Sequence, residues 1–356
     1  MKQSKIILPT PRQSSLSQLN RTLKSKKYKG SRYYILTDEN TSQHCLALLI
    51  SKVEAFEESE FLEIESGESN KTLDIASQLW QALLEMGADS NSIIVNLGGG
   101  MISDMGGFVA AAYHRGIRYI NIPTTLLAMT DAAIGGKTAV NIGEVKNQIG
   151  LFHSPEIVCI DPAFLNTLPD REYTSGIFEL LKTFMIGDRE LYNQLCSTLL
   201  KGNPLTMDMI KAAAQIKAAV VKADPYDQGI RQILNWGHTL GHAIESYSLA
   251  HYTSPMLHGE AIALGMVGEA YLSTKKLNLP DEEYHKIKDI VGKIINTPKY
   301  KLNNLPELIN YIKADKKKSG DTIYCTLLNQ IGEPVIDVAV SENEICDAFM
   351  VVRKMR

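Results

Sequence analysis

The chain has 356 residues, with 37 Lys and Arg against 40 Asp and Glu, and a formal net charge of −3. This length exceeds the size at which one hydrophobic core stops growing, so two packed domains are expected. The slightly acidic balance, without a Lys/Arg-rich block, argues against nucleic acid or an anionic membrane as a partner. No apolar run reaches the roughly 20 residues that span a bilayer, and no signal-peptide core is evident. Five cysteines, an odd number without a C-x-x-C pair, indicate reduced thiols. These features predict a cytoplasmic protein.

The first half of the sequence alternates β-rich runs with helical patterns, which predicts an α/β domain with a largely parallel sheet. The predicted strands are residues 32–37, 61–65, 92–97, 118–122 and 157–160. The clearest helix covers residues 72–86, where apolar residues recur with a period of 3.6. We expect this domain to span residues 1–168.

After Leu168 and Pro169, strand-like runs give way to successive amphipathic patterns, which predicts a mainly α-helical domain over residues 169–356. The predicted helices are residues 171–186, 189–200, 207–223, 229–246, 259–275, 281–294 and 305–313. A β-hairpin is predicted from residues 322–328 and 334–338, before a closing helix that begins at Glu342.

A strand that ends in Gly98, Gly99 and Gly100 and runs into a helix is the first chemical signal. Glycines at such a turn let backbone amides approach a phosphate, and the helix N-terminus favours negative charge. The natural occupant is a dinucleotide pyrophosphate. However, Ser103 stands where the usual fingerprint has its third glycine, and a Gly-Gly-Gly turn can be purely structural.

A histidine cluster is the second signal, because four of the eight histidines fall at positions 238, 242, 251 and 258. His238 and His242 are four residues apart on a helical pattern and share one face, a spacing suited to metal ligation. His258 is a further candidate, and Glu179, a charge inside an apolar run, is the best candidate carboxylate. Spacing alone selects His238 and His242 as the ligand pair.

Cations set among glycines, amides and apolar residues form the third signal. They are Arg115, Lys137, Lys146, Lys182, Lys217, Arg231 and Lys316. Any one of them could be an ordinary surface charge, but as a set they indicate a pocket for a multiply anionic small molecule. Lys137 lies in a Gly-Gly-Lys-Thr run that is similar to the end of a Walker A loop, yet the upstream glycine of such a loop is missing, which disfavours ATP hydrolysis.

Together these residues resemble the 3-dehydroquinate synthase family of sugar-phosphate cyclases, over residues 38–332. The matching blocks are residues 98–104, 122–127 with Asp131, 135–138, 146–147, 168–172, 179–182, 235–242 and 257–260. The resemblance implies a Rossmann-like NAD-binding domain followed by a helical metal- and substrate-binding domain. It also implies NAD and one divalent metal, zinc or cobalt, as cofactors.

The resemblance assigns a role to each site residue. The NAD-binding positions are Asp38, Asn40, Glu68, Lys71, Gly99, Gly100, Asp104, Thr124 and Thr125. The implied metal ligands are Glu179, His238 and His258. This set replaces the pair of His238 and His242 that spacing alone selects. The implied catalytic residues are Lys182, His242, Asp131 and Asn235. The implied substrate-binding residues are Arg115, from a neighbouring subunit of a homodimer, and Lys137, Lys146, Asn147, Lys217, Arg231 and Lys316.

The implied reaction converts 3-deoxy-D-arabino-heptulosonate 7-phosphate into 3-dehydroquinate and phosphate, a carbon–oxygen lyase step of the shikimate pathway towards chorismate and the aromatic amino acids. One alternative is a related cyclase whose substrate lacks a carboxylate, but Lys217 and Arg231 would then lack their anion. A metal-dependent polyol dehydrogenase would not need the phosphate set of Lys137, Asn147 and Lys316. A non-catalytic NAD-binding relative would not need Glu179 and Lys182.

Overall fold

The computed structural model describes residues 3–143, 145–295, 301–315 and 322–355. The chain divides into two compact units, Met1–Pro169 and Asp170–Arg356. The predicted fold class is confirmed, because the first unit contains a parallel six-stranded sheet with helices and the second is mainly α-helical. No helix among the described residues is long and apolar enough to cross a membrane.

The first unit contains eight strands and four α-helices among its described residues. The strands are β1 (Lys5–Ile7), β2 (Tyr33–Asp38), β3 (Glu60–Ile64), β4 (Ile93–Gly98), β5 (Arg118–Pro123), β6 (Lys137–Ile142), β7 (Val145–Phe152) and β8 (Ile157–Cys159). The helices are α1 (Ser15–Leu23), α2 (Glu39–Lys52), α3 (Leu73–Glu85) and α4 (Gly100–Ala112). All five predicted strands are confirmed within about a residue at each end, whereas β1 and the antiparallel hairpin of β6 and β7 were not predicted.

The order of the strands creates a switch point in the sheet. Six parallel strands follow the order β1-β8-β5-β4-β2-β3. The chain therefore leaves β2 towards β3 on one side and returns to build β4, β5 and β8 on the other. Leu36 pairs with Asn96, so β2 and β4 end side by side and the turns that follow them are neighbours. Doubly wound sheets bind ligands at such a point, beyond the carboxyl ends of the strands.

Ser103 occupies the position of the third glycine of the dinucleotide fingerprint, and the packing of α4 on the sheet explains why a glycine is not needed there. In the dinucleotide fingerprint the third glycine lets the helix lie close to a strand. Here that task falls one turn later, on Gly106, where an added Cβ would lie 1.8 Å from Asn96 Oδ1 of β4. Ser103 is buried as it stands.

The second unit contains eight α-helices and one β-hairpin among its described residues. The helices are α5 (Asp170–Gly187), α6 (Arg189–Leu200), α7 (Met207–Ala223), α8 (His238–His251), α9 (His258–Lys276), α10 (Asp281–Ile294), α11 (Leu305–Asp315) and α12 (Glu342–Arg353). The hairpin pairs β9 (Ile323–Gln330) with β10 (Glu333–Val340). Helix α9 is the centre of this unit, because every residue from 259 to 270 is buried.

The predicted helix over residues 229–246 is wrong in one respect. Instead of one continuous helix, the segment forms a 3₁₀ helix, Ile230–Asn235, followed by α8. The two helices are separated at Trp236 and Gly237. Gly237 has φ = 81°, a left-handed conformation that favours glycine, and an added Cβ would lie 2.5 Å from Met266 Cγ. Since Gly237 has no side chain to cap α8, Glu269 of α9 does so instead. Its two oxygens accept hydrogen bonds from the amides of Gly237 (2.6 Å) and Leu240 (3.1 Å).

Candidate functional site

A carboxylate and histidines from three helices converge inside the second unit. Glu179 of α5 is fully buried, and its Oε1 lies 3.6 Å from His258 Nε2 and 4.0 Å from His238 Nε2. Ligand atoms of His238, His242 and His258 all lie within 4.8 Å of one another. The structure thus brings both candidate ligand sets together: the pair chosen by spacing and the set implied by resemblance.

The chemistry of this cluster fits a divalent metal. Neither oxygen of Glu179 accepts a hydrogen bond from the described residues, although Lys182 Nζ lies 2.6 Å from Oε2 as an ion pair. A buried carboxylate oxygen that has no hydrogen-bond donor is suited to binding a cation. Burial, reinforced by the positive charge of Lys182, lowers the pKa of His238 well below its usual range. His238 is therefore neutral at pH 7, the form that binds metals.

The orientation of two imidazole rings is fixed through their Nδ1 atoms. His238 Nδ1 lies 3.1 Å from the carbonyl oxygen of Trp236, and His258 Nδ1 lies 3.1 Å from Glu245 Oε2. A hydrogen bond from Nδ1–H leaves the Nε2 lone pair free. Both Nε2 atoms face the same oxygen of Glu179, whereas His242 presents its ring 5.1 Å from that of His238.

The start of α9, which carries His258, is held by residues of the matching blocks. Arg171 binds Glu260 through two 2.8 Å hydrogen bonds, and Glu260 Oε2 also accepts the amide of Leu257 at 2.8 Å. The amide of Gly259 donates to Ser175 Oγ, and an added Cβ there would lie 2.0 Å from the Ser175 carbonyl oxygen. These contacts position His258 and explain why a glycine and an acid follow it. Sequence reasoning did not identify Glu245 or Glu269, since nothing local distinguishes them from other helical acids.

The glycine turn of the first unit has the geometry of an anion site. Helix α4 begins at Gly100, and its N-cap, Gly99, has no side chain to accept the amides of the first turn. Those amides and the helix dipole suit a pyrophosphate. Thr124 is buried and its Oγ1 has no hydrogen-bond partner among the described residues.

The other predicted NAD positions near this turn have structural partners of their own. Asp38 caps α2 by accepting the amide of Thr41 at 2.8 Å. Asn40 is exposed on the first turn of α2, and Thr125 Oγ1 accepts the amide of Ala128 at 3.1 Å. Any contacts of these residues with a dinucleotide would therefore be additional to the ones described.

A buried lysine connects predicted NAD-binding and substrate-binding residues. Lys71 is 2% exposed, and its Nζ donates to Asp104 Oδ2 at 2.5 Å and to Asn147 Oδ1 at 2.6 Å. Glu68 Oε1 lies 3.8 Å from the same Nζ and accepts Asn141 Nδ2 at 3.0 Å. Burial raises the pKa of Asp104, and Lys71 opposes this rise. Asn147 adopts φ = 55°, a left-handed conformation that asparagine tolerates better than most non-glycine residues.

The remaining predicted residues are distributed over both units. Arg115 is exposed and has φ = 64°, Lys137 is exposed at the start of β6, and Lys146 is partly buried on β7. Asp131 is partly buried in the π-helix Ala128–Ala132. In the second unit, Lys217 and Arg231 are buried and Asn235 is exposed. Lys316 lies outside the described residues.

Comparison with known proteins places the whole fold in one family. Residues 61–175 match the model for the 3-dehydroquinate synthase N-terminal domain, and residues 176–318 match that for the C-terminal domain. The chain is 38% identical to a 3-dehydroquinate synthase of Parabacteroides distasonis over 339 residues, which cover 94% of each protein. It is 42% identical to the enzyme of Thermodesulfovibrio yellowstonii over 290 residues, 79% of each.

Solved structures share the fold over nearly the whole chain. The 2-epi-5-epi-valiolone synthase of Streptomyces hygroscopicus, with NAD⁺ and Zn²⁺ bound, superposes with a TM-score of 0.86 at 23% identity, covering 100% of this chain and 98% of that one. A 2-deoxy-scyllo-inosose synthase complexed with carbaglucose-6-phosphate, NAD⁺ and Co²⁺ gives 0.82 at 24% identity, covering 98% and 96%. The sequence matches, which extend over both units, decide the family. The chain belongs to the 3-dehydroquinate synthase family of enzymes.

Proposed function

We propose that this chain converts 3-deoxy-D-arabino-heptulosonate 7-phosphate into 3-dehydroquinate and inorganic phosphate, with NAD and one zinc or cobalt ion. The observation that carries this proposal is the cluster of Glu179, His238 and His258 in a chain whose two units both match the family. Three protein ligands leave metal positions for a substrate, as in catalytic zinc sites.

The cofactors have residues to hold them. Glu179 Oε1 and the Nε2 atoms of His238 and His258 would hold the metal, and the amides after Gly99 would hold the pyrophosphate of NAD. Asp38, Asn40, Glu68, Lys71, Gly100, Asp104, Thr124 and Thr125 would contact the rest of the dinucleotide. When bound, these groups supply acidification of a coordinated hydroxyl and reversible hydride transfer.

The polar residues near the cluster would orient the substrate and handle its protons. Lys182, 2.6 Å from Glu179 Oε2, offsets the buried negative charge and can donate to a substrate hydroxyl. His242 has its ring beside those of His238 and His258, where it can accept or return a hydroxyl proton. We assign the remaining hydroxyls to Asp131, of the first unit, and Asn235, because the family resemblance implies this role for them.

The two anionic ends of the substrate would be bound by separate sets of residues. We assign the carboxylate to Lys217 and Arg231, because both are buried cations and a desolvated cation binds a carboxylate more strongly than an exposed one. We assign the phosphate to Lys137, Lys146, Asn147 and Lys316, with Arg115 contributed by a second subunit of a homodimer. A related cyclase acting on a substrate without a carboxylate is the second candidate, and the sequence matches of both units to 3-dehydroquinate synthases disfavour it.

Phosphate release tests the reaction directly. Purified protein with NAD and Zn²⁺ or Co²⁺ should release phosphate from the heptulosonate phosphate, and a chelator should stop the release. Glucose 6-phosphate, which has no carboxylate, should not turn over. Turnover of glucose 6-phosphate without turnover of the heptulosonate phosphate would refute the proposal.

A matched pair of arginine variants tests the carboxylate assignment. Arg231→Ala should lower kcat/KM by about 10²- to 10³-fold, since a charged hydrogen bond to the substrate is lost, and should leave the affinity for NAD unchanged. Arg189→Ala removes a partly exposed arginine paired with Glu283 in the same unit and should change neither the kcat/KM nor the affinity for NAD. Equal losses of substrate and NAD affinity in Arg231→Ala would contradict the assignment.

A further inference from the structure

A second carboxylate touches the cluster from outside. Glu245 is 6% exposed and lies on α8 seven residues after His238, so two turns of one helix place both residues on the same face. Its Oε2 lies 3.1 Å from His258 Nδ1, on the ring edge opposite to the Nε2 that faces Glu179. Helix α8 therefore carries the proposed metal ligand His238 and also Glu245, the carboxylate that contacts the proposed ligand His258.

We propose that Glu245 is a positioning residue that holds His258 in the tautomer and orientation required for metal binding. This inference rests on the metal site proposed above. The carboxylate accepts Nδ1–H, which keeps the Nε2 lone pair available, and its negative charge makes the imidazole a better donor towards a cation. His238 has a neutral support, the carbonyl of Trp236.

The charges of the cluster are consistent with this role. Glu179 and Glu245 contribute two buried negative charges, and Lys182 contributes one positive charge beside Glu179. A buried negative charge beside His258 favours the uptake of a divalent cation by that imidazole. A carboxylate whose task was only to satisfy a buried imidazole would add nothing to metal affinity, and this difference is measurable.

The same kind of pair elsewhere on α8 provides a control. His251 Nε2 lies 2.7 Å from Glu307 Oε1, with 42% and 27% of the two side chains exposed, and neither residue belongs to the cluster. Glu307→Gln therefore changes a carboxylate–imidazole contact in the same unit without changing the proposed site.

The experiment measures Zn²⁺ affinity of the metal-free protein by competition with a chromophoric chelator, and the absorption spectrum with Co²⁺. Glu245→Ala should weaken Zn²⁺ binding by about 10- to 100-fold and alter the Co²⁺ spectrum. Glu245→Gln keeps an acceptor oxygen but loses the charge, so its affinity should fall between those of Glu245→Ala and the wild type. Glu307→Gln should bind Zn²⁺ as the wild type does. Urea unfolding of each metal-free variant separates a loss of metal affinity from a loss of fold.

Four outcomes of this experiment decide the role of Glu245. An ordered loss of affinity at Glu245 without a matching change in Glu307→Gln supports the role. Wild-type affinity in both Glu245 variants overturns the inference but leaves the proposed function intact. Equal weakening in Glu307→Gln also overturns it. If the wild-type protein itself binds no Zn²⁺ or Co²⁺, the proposed metal site fails, and the inference fails with it.

Discussion

The start of α8 depends on a buried carboxylate from another helix, and Glu269→Gln tests this dependence. Glu269 is fully buried, and its two oxygens accept the amides of Gly237 and Leu240. These amides belong to the first turn of the helix that carries His238. A glutamine has one acceptor oxygen, so one amide would face an NH₂ donor.

The expected magnitude follows from these two hydrogen bonds. A hydrogen bond to a charged group contributes about 1.5–3 kcal/mol, against about 1 kcal/mol for a neutral one. Glu269→Gln loses one such bond and weakens the other, while it relieves the cost of burying a charge. We expect the free energy of unfolding of the second unit to fall by about 2 kcal/mol, roughly a 30-fold change in the unfolding constant.

Tryptophan fluorescence during urea unfolding measures this change, because Trp236 is fully buried and adjoins Gly237. Trp80→Phe removes the signal of the first unit, leaving Trp236 as the reporter. Glu344→Gln is the matched control: Glu344 Oε2 accepts the amide of Ser341 at 2.8 Å at the start of α12, but its side chain is 32% exposed. Its loss should stay below about 1 kcal/mol. Equal or greater stability of Glu269→Gln would show that relief of charge burial outweighs the lost hydrogen bonds, and would refute this account of the helix start.

Two further predictions concern the first unit. Gly106→Ala places a Cβ 1.8 Å from Asn96 Oδ1 and should cost about 1–3 kcal/mol in urea unfolding followed through Trp80. The control is Gly292→Ala in α10 of the second unit, an exposed helical position with 3.8 Å to its nearest neighbour, which should not destabilise when unfolding is followed through Trp236. The Ser92 hydroxyl and the Asn91 amide hold the pKa of Asp89 below its usual range. Its contribution to stability is therefore present above about pH 4 and is lost as the pH falls through the lowered pKa, so Asp89→Asn should flatten the acid side of a stability–pH curve. An unchanged curve would contradict this role.

Elements with local signals were predicted accurately from the sequence. Helices α6 and α7 begin where predicted because Asp188 and Thr206 cap them through their own side chains. Strands β2 and β4 are buried along their length and read as continuous apolar runs, as parallel strands do. By contrast, the hairpin of β6 and β7 mixes polar and apolar residues without a regular alternation, and its pairing depends on contacts that no local pattern reports.

The break before α8 escaped prediction for a tertiary reason. The pattern of residues 229–246 is helical, and Gly237 on its own does not end a helix. What stabilises a new helix start there is Glu269, 32 residues away in sequence and on another helix. The proposed choice of His258 over His242 as a metal ligand depends on tertiary structure in the same way. Spacing identifies residues that share a face of one helix, but the partner of His238 across the Glu179 oxygen comes from α9.

The hydrogen-bond partners of the buried acids in this unit distinguish Glu179, the proposed metal ligand, from its neighbours. Glu245, Glu260 and Glu269 are all buried, and each lies within hydrogen-bond distance of backbone amides, an arginine or an imidazole. Glu179 is buried as deeply, yet its Oε1 accepts no hydrogen bond from the described residues and faces two imidazole nitrogens instead. A fold that supplies partners to three neighbouring carboxylates could supply one to a fourth, and an orphaned buried oxygen costs about 1–3 kcal/mol. A cation bound between Glu179 and the histidines, as proposed above, would remove this cost. The three satisfied acids then have a common task, since each holds a helix start or an imidazole that defines that space.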